Sequence, residues 1–199
     1  PSTEPSRSAP LPERPYLLDP ARPFATGDGA GAGVSVDERV RFAQRAHERL
    51  LDRADPREVA TEMASALAGN PGFAAFEVVL AQAEYLDEAP RWAGGSDQPL
   101  SPPDGLALER FGSAQSVLEP LIERRPDYRP AVLLAARVAE LQGRVVAAYS
   151  LYRDLGEAAG RGRGERIALE RAAALESTVE TQLGAEAESA FERLRLDEA

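Results

Sequence analysis

Three arginines, Arg41, Arg45 and Arg49, recur at four-residue steps inside the run "SVDERVRFAQRAHERLLDRA". On a helix that spacing sets three guanidinium groups along one face. A guanidinium forms bidentate hydrogen bonds with a carboxylate, so such a row could clamp an acidic group of a partner. Glu38, Glu48 and Glu84 lie near enough along the same helical runs to make ordinary surface pairs at three- and four-residue steps instead. A second cluster, Glu84, Asp87 and Glu88, offers carboxylates for acid–base work. Paired carboxylates do such chemistry only where their surroundings split their pKa values. At the acidic end of a helical run they read more simply as solvated surface.

Several kinds of chemistry lack their parts. The chain has no Cys and no Lys, and its single His, Met and Asn are His47, Met63 and Asn70. Zinc and iron–sulfur sites built on Cys and His, a thiol nucleophile, a Schiff-base lysine and a phosphate-loop lysine are therefore excluded. No cofactor and no metal is expected. A Ser-His-Asp triad would have to recruit His47, which falls on an apolar helical face with Val36, Val40, Ala43 and Leu50. There it reads as a core histidine rather than a switch.

Composition points to a soluble helical chain of 199 residues, 43% hydrophobic and 28% charged, long enough for a real core. Ala, Leu, Glu and Arg lose little freedom in a helix, and they dominate. The formal charge of −10 argues against nucleic acid, whose phosphates need a basic footprint. No apolar run reaches the roughly 18 residues of a membrane span. The chain opens at Pro1, and a Pro/Ser-rich opening of this kind often follows a removed export signal or a lipid-attachment site. A trimmed sequence has the same appearance. That opening suggests the periplasm or cell envelope of a bacterium, with the cytoplasm as the alternative; the Arg-for-Lys, Ala/Gly-rich composition suggests a bacterial source.

The elements that must hold these residues follow from periodicity and punctuation. Residues 1–34 are rich in Pro and Gly and read as an extended tail. Within it Tyr16, Leu17, Leu18 and Phe24 are too apolar for a spacer. They either lie on the domain's own surface or order on a partner. Ser35 with Glu38 forms a capping box that starts the first helix. Asp55-Pro56 starts a second, and Gly69-Asn70-Pro71-Gly72 stops it. A third runs over 73–87, followed by a Pro/Gly-rich insertion at about 89–104. Helices then follow from about Leu106 to Arg125, as a pair over 129–155, and from about Glu165 to Leu196, the last bent near Gly184.

Paired helices with Pro before each pair are the mark of an α-solenoid. The run "RPAVLLAARVAELQGRVVAAYSLYRDL", residues 129–155, resembles the tetratricopeptide repeat family. Ala135, Ala136 and Ala139 stand where that family wants close contact, Gly143 in its tight turn, and Ala148, Tyr152 and Leu155 on its second helix. A second unit is split by the insertion; its latter half carries Ala114, Leu118, Leu121 and Pro126, with Pro120 departing from the pattern. A third unit, residues 36–69, matches loosely. The resemblance implies an all-α solenoid of about three helical hairpins over 35–161, with an extended tail and a long C-terminal capping helix over 162–199.

The resemblance also implies a concave groove lined by first helices. By helix face it would take Arg41, Arg45 and Arg49 from the first unit, Glu77, Ala81, Glu84 and Tyr85 from the second, and Leu133, Arg137 and Glu140 from the third. Trp92, in the insertion, either anchors a partner or packs down to pin its loop. The last helix either caps the apolar end or pairs in part with another chain. The expected function is a non-catalytic protein–protein interaction scaffold of a bacterial, envelope-associated assembly, holding a protein partner or peptide segment. A permanently integrated subunit or homo-oligomer, with tail and insertion embedded in neighbours, is the alternative.

Overall fold

A computed structural model describes residues 36–92, 109, 111–157 and 163–197. Within them the chain is all-helical, in seven helices. We label these α1 (Val36–Leu51), α2 (Pro56–Gly69), α3 (Ala74–Trp92), α4 (Gly112–Arg124), α5 (Arg129–Leu141), α6 (Val145–Glu157) and α7 (Arg163–Asp197).

Helix ends follow their local chemistry. Asp55 caps α2, its side chain accepting from the Arg57 amide at 2.9 Å, with Pro56 in the first turn. Two helices end in Schellman closures. After α5 the amides of Gly143 and Arg144 donate to the carbonyls of Glu140 (3.0 Å) and Ala139 (2.9 Å), with Gly143 at φ 74°. After α1 the amides of Arg53 and Ala54 donate to Leu50 (3.3 Å) and Arg49 (2.9 Å), and here a non-glycine, Arg53, holds φ 66°. The tight turn expected at Gly143 is present, and a second one occurs where no glycine signals it.

Each helix packs on its neighbours in sequence; α1 meets α3 as closely as it meets α2, while α3 with α5 and α5 with α7 touch more lightly. Small side chains let the backbones approach: Ala114, Ala136, Ala148 and Ala168 are fully buried. Larger ones fill the layers between, including Met63, Phe76, Leu118, Leu121 and Tyr152. The residues read as close-packing or core positions in α4, α5 and α6 are buried, with Ala135 only partly covered. His47 is 2% exposed, so its place in the core holds.

Two helix boundaries differ from expectation. Helix α3 continues through Pro90 to Trp92, so the start of the insertion is helical rather than loop. Helix α4 starts at Gly112 rather than about Leu106, because Phe111 adopts a left-handed backbone (φ 57°) just before it. That conformation is held by burial of the Phe111 ring, stacked on Tyr85 at 4.8 Å. Helix α7 runs unbroken through Gly184, and Pro120 lies inside α4 without ending it. Tyr16, Leu17, Phe24, Ser35, most of the insertion and the Trp92 side chain lie outside what the structure describes.

Candidate functional site

One turn into α1 a cleft of about 510 Å³ opens against the end of α2 and the start of α3. Its walls are Glu38, Arg39, Arg41, Phe42 and Arg45 from α1, with Ala66, Asn70 and Phe76 opposite. The aromatic floor is built by edge packing: Phe42 meets Phe76 at 5.7 Å, and Phe76 meets Phe73 at 4.7 Å. Buried Arg39 braces that floor, its guanidinium 4.7 Å from the Phe73 ring centre and donating to Asn70 Oδ1 at 3.4 Å.

The two arginines further along the face are placed differently. Arg45 reaches over the Phe42 ring at 5.9 Å, while Arg41 makes no hydrogen bond, ion pair or ring contact among the described residues. Both are exposed. Several other arginines sit against carboxylates, as in Arg57–Asp87 (2.8 Å) and Arg124–Glu77 (2.7 and 2.8 Å). Two guanidinium groups one helical turn apart, beside a half-buried aromatic ring, can take carboxylates and an apolar side chain together.

The remaining groove candidates do not join this cleft. Arg49 turns to α2, where it pairs with Glu62 and lies 3.8 Å from Glu58. Glu77 is held by Arg124 and ties α3 to α4. Ala81, Tyr85 and Leu133 are buried, so the expectation that they face an open groove is corrected: the helices packed on α3 and α5 cover them. Glu84 is half-buried near Asp87 and Glu88, and its carboxyl is pushed up, first by burial and then by those two charges. Asp87 accepts from Arg57, and Glu88 from the Ser113 amide at 3.2 Å.

Arg137 and Glu140 meet each other instead of solvent. Glu140 is 3% exposed and accepts from Tyr152 Oη at 2.9 Å, with Arg137 at 3.1 Å and Arg171 of α7 closing on its other side. This charge network clamps α5, α6 and α7 together and keeps Glu140 from solvent. A further buried polar pair, His47 Nδ1 and Gln82 Oε1 at 2.7 Å, joins α1 to α3. Burial lowers the His47 pKa, outweighing the Gln82 hydrogen bond and the Glu48 charge, so the ring is neutral at pH 7 and donates through Nδ1.

Sequence reasoning placed Arg41 and Arg45 together but missed Phe42 and Phe76 as their neighbours. The signal was present: Phe42 stands between the two arginines in "RFAQR". Among the described residues no group of three or more His, Asp or Glu side chains could hold a metal ion, and no helix is long and apolar enough to cross a membrane. No family model, curated protein or solved structure matches the chain.

Proposed function

We propose that this chain is a non-catalytic helical-repeat scaffold of the tetratricopeptide type, built of three hairpins and a capping helix. It holds an acidic, partly apolar protein segment in the α1 cleft. The solenoid arrangement is supported by the order of contacts, each helix on its neighbour and every odd-numbered helix touching the next. The observation that carries the docking role is the pair Arg41 and Arg45, two exposed cations without a carboxylate partner among the described residues, set beside the Phe42 ring in a chain of net charge −10. An unrelieved pair of like charges at this spacing costs a few tenths of a kcal/mol, which an acidic ligand removes. The scaffold belongs on this reading to a bacterial envelope assembly.

The test compares wild-type chain with Arg41→Glu/Arg45→Glu as bait in native extract. Both positions are exposed, so melting temperature should stay within a degree or two, while recovery of a stoichiometric partner should drop about tenfold or more. Equal recovery by both baits rejects the cleft as the docking site.

A further inference from the structure

The far end of the chain carries the chemical complement of the α1 cleft. Helix α7 packs through Ala168, Ala172, Leu175 and Val179, all buried. Beyond Val179 each described residue is exposed or only partly covered up to Ser189. Beside the packed face run Glu176, Glu180, Leu183 and Ala187, at steps of four, three and four residues, which is one helical stripe. All four are exposed, Leu183 at 47%, and neither Glu176 nor Glu180 has an ion-pair or hydrogen-bond partner among the described residues.

We propose that this stripe of one copy docks in the α1 cleft of a second copy. The inference rests on the reading of the cleft as a docking site and names its occupant. Charge and spacing both favour it. Glu176 and Glu180 are four residues apart on α7, as Arg41 and Arg45 are on α1, so each pair is separated by about 6 Å along its helix. Two carboxylates therefore meet two guanidinium groups in register, and each pair relieves the other's like-charge repulsion. Leu183, one turn further on, brings an exposed apolar side chain to the Phe42 and Phe76 rings. Because α1 packs mainly on α2 and α3 while α7 packs mainly on α6 and α5, the two surfaces belong to different ends of the contact order. The contact is thus heterologous, joining the last helix of one copy to the first helix of the next. One helix stripe in one cleft makes a small interface, so the association is weak and salt-sensitive.

Sedimentation velocity of the full chain over a dilution series tests this. The wild type should gain mass with concentration at low salt and lose it at about 1 M salt, where charges are screened beyond about 3 Å. Arg41→Glu/Arg45→Glu and Glu176→Arg/Glu180→Arg should each associate at least about tenfold more weakly, with unchanged helicity by circular dichroism. An equimolar mixture of the two should regain association, because each basic end again finds an acidic one; misfolded variants would not. Leu183→Ser should weaken the wild-type contact as well. A wild type that stays monomeric throughout, or a mixture that fails to associate, overturns the second-copy occupant. If partner recovery still depends on Arg41 and Arg45, the docking reading stands without it; if recovery ignores both arginines, that reading falls too.

Discussion

His47 and Glu140 both place polar groups in the interior of the fold. The folded-state pKa of His47 is depressed by burial below the ordinary value of 6.5, so the unfolded chain takes up the proton first. Stability from this residue is therefore complete above about pH 6.5, falls as pH drops through that value, and stops falling below the folded pKa. Melting curves between pH 7.5 and about 5.5 should show a declining transition temperature, and His47→Gln should flatten the slope. Glu140→Ala would leave Arg137 and Arg171 facing a buried void between α5 and α7. It should cost about 3 kcal/mol in chemical denaturation, with Glu140→Gln milder because the amide still accepts from Tyr152. Glu84 has the opposite character: replacing it with Gln removes a like charge four residues from Glu88. The change should leave stability at pH 7 equal or up to about 0.5 kcal/mol higher.

Helix ends are decided by backbone conformation, and the two Schellman closures make a matched pair. Gly143 (φ 74°) adopts its left-handed backbone at no steric cost, whereas Arg53 (φ 66°) does so with a Cβ. Gly143→Val should lower the melting temperature by the equivalent of 1 kcal/mol or more, since a β-branched residue tolerates that region least. Arg53→Gly should raise it, by up to about 1 kcal/mol, because Arg53 is exposed and no ion pair among the described residues is lost. Equal and opposite shifts in thermal melts would show that turn conformation, and not the lost side chains, sets the sign. Phe111 is a different case: its left-handed backbone is held by a buried ring on Tyr85, so Phe111→Gly should destabilise despite relieving the backbone.

At the scale of the molecule, stability is spread unevenly along the chain. Helices α5 and α6 and the first half of α7 share buried side chains and the Glu140 network, while residues 180–189 of α7 add little buried surface. Hydrogen exchange of dilute protein should therefore find strong amide protection in α5 and α6 and weak protection over 180–189, where opening breaks few contacts. Protection gained over 180–189 on raising protein concentration, together with protection in α1, would mark both surfaces of the proposed contact between copies.

Local chemistry, readable one helix at a time, determined much of this protein. The scarcity of strand formers made the described residues all-helical, Asp55-Pro56 started α2, Gly143 closed α5, and Ala148 with Tyr152 marked the buried face of α6. The arginine spacing likewise aligned Arg41 with Arg45, because a helical face is set by sequence alone. Which groups on a face remain free is set by neighbouring helices. Arg49 shares the face of Arg41 and Arg45, yet α2 brings Glu58 and Glu62 to it and removes it from the cleft. Arg137 and Glu140 look like exposed groove residues until α7 lays Arg171 over them. Partners that arrive from another helix are set by packing geometry, which spacing along one chain segment does not encode. Tertiary structure therefore decided that two of the three aligned arginines are left open beside an aromatic floor.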